Sequence, residues 1–275
     1  MVSTSTLIAV VITFIVSGIL PLVVWLVYGV KNKGKGAFTA WLIGAAGFFI
    51  MQVIIRIPIL NMLALTAGFQ SFVENHYVLY CFIAAFTAGL FEVIGRYVVA
   101  KLMAKNLTYE KGLAAGLGHG GIEAIVLIGM MYMNNLLYIG MINSGTFDGI
   151  VEQTAALGVD TTSLVAIKDS LIHMNSAVFL LAGYERILTM LLHAALSLAV
   201  CYFVSKKQDI KGILICLVCH CMVDFISPLV NGMATEYLGN VISQTTAYII
   251  VYVFLTAVAV VSVVAILNIR KRWKL

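Results

Sequence analysis

Long apolar stretches broken by short polar ones set the rhythm of this chain. Seven of them, roughly 5–29, 37–60, 77–100, 113–142, 177–204, 212–231 and 244–269, reach the ~20 apolar residues that a helix needs to cross a bilayer. The pattern predicts an all-α, polytopic membrane helix bundle forming a single transmembrane domain over residues 1–275. Pro21 predicts a kink in the first span. The second span can stop early, near Arg56, and the fourth is long enough to tilt or to continue along the interface. The first run lacks a basic leader and an A-x-A site, so it reads as a span and not as a cleaved signal peptide.

Composition supports this reading. The chain is 62% hydrophobic and 11% charged, whereas a soluble domain carries roughly a quarter charged residues. The net charge of +5 does not point to nucleic acid, because the basic residues lie in short loops and act as topology signals. Lys31, Lys33 and Lys35 follow the first run, and Lys101, Lys105 and Lys111 the third. Lys206, Lys207 and Lys211 follow the fifth, and Arg270, Lys271, Arg272 and Lys274 close the chain. The alternate connections, 61–76, 143–176 and 232–243, hold only Lys168. That asymmetry predicts an outside N-terminus and a cytoplasmic C-terminus in the plasma membrane. Cys81, Cys201, Cys216, Cys219 and Cys221 all fall in apolar segments and read as small packing residues.

In the long outer connection 143–176, Asp160-Thr161-Thr162 can cap a short helix reaching about residue 173. Leu164, Ile167, Leu171 and Ile172 would form its apolar side. The expectation is an interfacial amphipathic helix on the outer surface, with His173 exposed.

Against this apolar background Glu92, His119, Glu123, His193, His220 and Asp224 stand out. A charge at the bilayer centre costs at least ~2.5–3.5 kcal/mol on insertion scales, so such residues face a bundle interior and carry function. Glu92 precedes Arg96 by four residues, the favourable order for a helical ion pair. His119 and Glu123 share a face within Gly112-x3-Gly116-x3-Gly120, a spacing of small residues that lets helices approach closely. Arg186 and His193 are two turns apart. His220 and Asp224 are again four apart, and such a carboxylate can fix the imidazole tautomer. Counted from the basic loops at ~1.5 Å per residue, Glu92, His119, His193 and His220 lie roughly 12–20 Å from the cytoplasmic boundary. The spans 77–100, 113–142, 177–204 and 212–231 thus build one polar core in the cytoplasmic half. Histidines and carboxylates together can bind a metal or move protons.

Cys216-Leu217-Val218-Cys219-His220 fits the c-type haem attachment pattern. That chemistry belongs outside the cytoplasmic membrane, whereas this segment lies near its cytoplasmic face. The chain has no H-E-x-x-H, Gly-rich nucleotide loop or G-x-S-x-G.

These residues, in this order, resemble the YhfC family of intramembrane metalloproteases, which looks related to the type II CAAX prenyl endopeptidase (CPBP) and PrsW proteases. It is also similar to the multispanning scaffold subunit of gamma-secretase. The E-E-x-x-x-R motif of that superfamily corresponds to Phe91-Glu92-Val93-Ile94-Gly95-Arg96, with Phe91 in place of the first glutamate. The second motif, F-x-x-x-H or F-x-x-x-E, is replaced by the Gly-rich segment, where either His119 or Glu123 takes the role. The third corresponds to His193 and Ser197, and the last, H-x-x-x-D/N, to His220 and Asp224.

The resemblance implies an intramembrane endopeptidase that hydrolyses peptide bonds of membrane-associated peptides or proteins. Glu92, held ionised by Arg96, would be the general base. His193 and His220 would stabilise the oxyanion, or would join Glu92 in holding Zn2+ or another divalent metal. Asp224 would orient His220. Related CAAX-type enzymes look able to work without a metal, so the site can also be metal-free. The residues alone imply only a site able to polarise water. Two other readings stand beside the protease: a non-catalytic membrane scaffold, and a proton- or metal-coupled transporter. The polar layer is confined to one half of the membrane, and no inverted repeat accompanies it, which weighs against transport. Membrane lipid is the expected environment. Substrate identity and oligomeric state are not legible.

Overall fold

The structure is a computed structural model and describes residues 1–273; Lys274, counted above with the C-terminal basic residues, lies outside them. Among the described residues the regular structure is entirely helical. The seven apolar runs become α1 (Thr4–Lys31), α2 (Ala37–Ala64), α4 (Tyr77–Leu102), α5 (Tyr109–Ser144), α8 (Ser176–Ser205), α9 (Asp209–Met233) and α10 (Gln244–Trp273). Three shorter helices, α3 (Ala67–Asn75), α6 (Phe147–Ala156) and α7 (Thr162–His173), lie in the connections. Each long helix satisfies its own backbone, the condition for crossing hydrocarbon.

Two prolines explain local departures from the α-helix. Residues Ile15–Ile19 and Phe49–Arg56 are π-helical, just before Pro21 and Pro58. A proline brings no N–H and crowds the carbonyl four residues back, and the wider π turn accommodates both defects. The second span accordingly does not stop near Arg56; it runs through that residue to Ala64. Arg56 is tolerated because its guanidinium donates to Gln52 Oε1 (3.2 Å), Ala84 O (2.8 Å) and Thr87 Oγ1 (3.3 Å).

Residues 143–176 hold two helices where one was expected. Asp160 Oδ1 accepts from Thr162 N (2.9 Å) and Thr162 Oγ1 (2.6 Å), starting α7 as the sequence suggests. Those bonds favour the charged form and hold the Asp160 carboxyl below its ordinary range. The apolar side of α7 is not simply laid on a surface: Leu171 is buried, and Leu164, Ile167 and Ile172 pack with it in a protein core. His173 is exposed.

The chain divides into two compact units. The first joins Met1–Val23 to Ala124–Ile187 around Val10, Tyr132, Ile139, Phe147 and Leu171. In it the Phe179 carbonyl accepts from Thr13 Oγ1 (2.7 Å) and Tyr132 Oη (3.1 Å). Arg186, within hydrogen-bonding reach of Glu185, belongs to this unit.

The second unit joins Val24–Glu123 to the chain from Leu188 onward and contains all of the buried histidines. Its helices meet through small residues, as expected where lipid supplies no hydrophobic drive for association. A Cβ on Gly118 would stand 2.0 Å from the Trp41 carbonyl oxygen, and one on Gly116 2.7 Å from Ala194 Cα. The glycines of α5 therefore serve two contacts, one with α2 and one with α8. Outward-facing positions such as Leu26, Ile54, Phe82, Val218, Val253 and Val261 are apolar and exposed, while Glu92, Arg96, His119, His193 and His220 are buried. This reversal of the soluble pattern is that of an integral membrane protein.

Candidate functional site

The site is built around one carboxylate oxygen. Glu92 Oε2, on α4, lies 2.9 Å from Arg96 Nη2, 3.0 Å from His119 Nε2 and 2.8 Å from His220 Nε2. His193 Nδ1 stands 3.6 Å away. Four helices thus converge on it, each carrying one or two of the ionisable residues singled out in the sequence. All lie in the second unit. So dense a set of partners around a buried carboxylate meets its hydrogen-bonding capacity, since burial of an unpaired polar group is what costs energy.

Arg96 has a second task. Its Nη2 lies 2.6 Å from His193 Nδ1 and its Nε 3.2 Å from Ser197 Oγ. An arginine can only donate, so His193 Nδ1 accepts and the ring proton is on Nε2, where a bound cation would displace it. That nitrogen faces Glu123 Oε2 at 2.7 Å. His193 is therefore oriented from both sides.

The helical i, i+4 pairs sort themselves differently from the expectation. Glu92–Arg96 forms as predicted, and His220 Nδ1 meets Asp224 Oδ2 at 3.2 Å. His119 turns to Glu92 and Glu123 to His193, because their helix is wedged between α2 and α8 and each side chain reaches a different neighbour. The His119 ring is fixed further by the Phe48 ring, edge-on at 5.1 Å, and by the stacked His193 ring at 5.3 Å. Asp224, with a side chain 34% exposed, is the most open member of the set. Arg186, two turns from His193 in sequence, belongs to the first unit.

A residue absent from the sequence reading completes the shell. Gln52, buried on α2, donates from Nε2 to Glu92 Oε1 at 2.9 Å. Its signal was available: a glutamine inside an apolar run, four residues before an arginine.

The residues fit a divalent cation. The ligand atoms of Glu92, His119, Glu123 and His193, all buried, lie within 4.8 Å of one another. Imidazole nitrogens and carboxylate oxygens are the donors that suit zinc and similar ions. His119 and His193 each direct Nε2 at a carboxylate oxygen, contacts that a cation could bridge. The set expected from sequence was Glu92, His193 and His220. His220 touches Glu92 but is outside this group of four.

Comparison with known proteins gives a consistent result. The profile of the YhfC intramembrane metalloprotease family matches residues 15–242. The uncharacterized membrane protein YhfC of Bacillus subtilis (strain 168) is 30% identical over 244 residues, which cover 87% of each chain. No solved structure matches. The chain belongs to the YhfC intramembrane metalloprotease family.

Proposed function

We propose that this member of the YhfC family is an intramembrane endopeptidase that hydrolyses peptide bonds of membrane-associated substrates. The observation that carries the reading is the convergence of Glu92, His119, His193 and His220, from four helices, on one buried volume. We further propose an outside N-terminus, with the site in the cytoplasmic half of the plasma membrane, because the basic loops alternate with connections in which Lys168 is the sole Lys or Arg.

Arg96 holds Glu92 ionised and orients the His193 ring. Glu92 Oε2, the oxygen on which the imidazoles converge, takes the proton of the attacking water as general base, a role worth about 10²–10⁴ in rate. The water oxygen bonds to the scissile carbonyl carbon, and the C–N bond breaks as the amine receives a proton. His220, between Glu92 and Asp224, is placed to deliver that proton. His119, Glu123 and His193 would hold a divalent metal beside Glu92. When bound, such an ion makes water more acidic and polarises a carbonyl. The apolar surroundings exclude bulk water and strengthen each electrostatic contact.

The test is cleavage of an unfolded or lipidated peptide by the protein in liposomes, read by mass spectrometry. Glu92→Gln and His220→Ala are each expected to lower the rate at least 100-fold. Cleavage by both variants at the parental rate would sink the assignment. A folded, inert parent whose stability alone depends on His193 would identify a scaffold instead.

A further inference from the structure

Glu92 has two oxygens, and the histidines use only one. The other, Oε1, is held by α2. Gln52, 3% exposed, donates from Nε2 to Glu92 Oε1 at 2.9 Å and to the Ala88 carbonyl at 3.3 Å. Its Oε1 accepts from Arg56 Nη1 at 3.2 Å. The orientation of this amide follows from chemistry alone. Arginine can only donate and an ionised carboxylate can only accept, so the oxygen of Gln52 must face Arg56 and the nitrogen must face Glu92. Arg56 is itself anchored on α4, through Ala84 O at 2.8 Å and Thr87 Oγ1 at 3.3 Å. Gln52 and Arg56 lie in the π-helical stretch Phe49–Arg56. With more residues per turn than an α-helix, that stretch brings positions four apart close to one line, so both side chains reach α4.

We propose that Gln52, set by Arg56, is a positioning residue for Glu92. It locks the carboxylate against rotation, so that Oε1 is spent on α2 and Oε2 alone faces the imidazoles. This rests on the protease reading for its consequence in catalysis; the contact itself does not. Outer-shell partners of this kind are typically worth 10–100-fold in metal affinity or activity. The pair is a second task for the second span beyond crossing the membrane, and it accounts for an arginine there.

The experiment uses the full chain in nanodiscs with Gln52→Met, which keeps the volume and removes the donor, and Arg56→Met. Two measurements are made. The first is a double-mutant cycle on thermal unfolding, pairing Gln52→Met with Glu92→Met, which leaves no acceptor at position 92 for the Gln52 amide. The brace requires a clearly smaller shift in midpoint in the Glu92→Met background, whereas equal shifts in both would overturn the brace whether or not the protein cleaves anything. The second is kcat and KM for the peptide, with Zn2+ affinity by competition against a chromogenic chelator. Gln52→Met is expected to lower kcat and Zn2+ affinity by 10-fold or more with KM unchanged, and Arg56→Met to add little once Gln52 is gone. Parental kcat and Zn2+ affinity in a folded Gln52→Met protein would overturn the positioning role. If the parent neither cleaves nor binds Zn2+, the protease reading falls and the cycle alone decides the brace. Should Gln52→Met fail to fold, Gln52→Glu is used for both measurements. It sets an oxygen against Glu92 Oε1 and is expected to shift the same quantities at least as far.

Discussion

Gly120 and His193 pack so closely that a Cβ at position 120 would stand 3.0 Å from the His193 Cβ. The ring that meets Arg96 and Glu123 reaches them because the facing residue has no side chain. A methyl group at this position forces His193 to give by a few tenths of an ångström, and a branched side chain forces more.

Gly120→Val should therefore lower zinc affinity and peptide cleavage together by 10-fold or more. Gly140, where an added Cβ would meet nothing within 4 Å, provides the control. Gly140→Ala should leave both unchanged and raise the unfolding midpoint slightly, since alanine is the better helix former. Chelator competition on the two purified variants checks this.

Glu92 and Arg96 form a buried ion pair at 2.9 Å. Removing one partner strands the other in an apolar core, at a cost of about 3–5 kcal/mol. Arg96→Met should lose stability on that scale. Glu92→Met/Arg96→Met should lose less than the two single changes added, by at least about 1 kcal/mol. Unfolding of the four proteins in detergent measures the coupling, and additivity would mean that the pair is not formed.

The two candidate ligand sets make different predictions for metal removal. If Glu92, His119, Glu123 and His193 hold the ion, then His119→Ala and Glu123→Gln each weaken zinc at least 10-fold. His220→Ala then lowers cleavage while retaining most of the zinc affinity. Elemental analysis after dialysis against a chelator of known affinity distinguishes the sets. Loss of zinc from His220→Ala alone would restore the set expected from sequence.

Asp160 sits outside the membrane-spanning segments and starts α7 through both Thr162 bonds. Its folded-state carboxyl titrates below its ordinary value. The stability it lends is therefore present above the unfolded-state pKa, about 3.9, and is lost as pH falls through the lower folded value. Asp160→Ala should speed amide exchange at the start of α7 at neutral pH. The difference from the parent should shrink as the solution is acidified, and a constant difference would count against the cap.

Legibility in the sequence followed the range of each interaction. The spans were readable because bilayer thickness imposes a length on every apolar run, and α1, α2, α4, α5, α8, α9 and α10 match within a few residues. Glu92–Arg96 and His220–Asp224 were readable because helical spacing puts residues four apart on one face. At His119 and Glu123 the same rule leaves out the neighbouring helices, which bring Glu92 to the one and His193 to the other. Residues 147–156 were not seen as a helix, because a short polar turn of helix carries little periodic signal.

By itself, then, the sequence determined that this is a multi-spanning membrane protein with costly histidines and carboxylates in four of its helices. Solvation accounts for that: hydrocarbon penalises charge wherever the chain is later folded. Only the tertiary structure decided which atoms meet. Glu92 Oε2 draws in His119 and His220, Glu123 goes to His193, and Gln52 closes on Oε1. These pairings depend on how closely α5 can press between α2 and α8. That distance is set by glycines such as Gly116 and Gly118, whose missing side chains have no spatial meaning until their neighbours are in place.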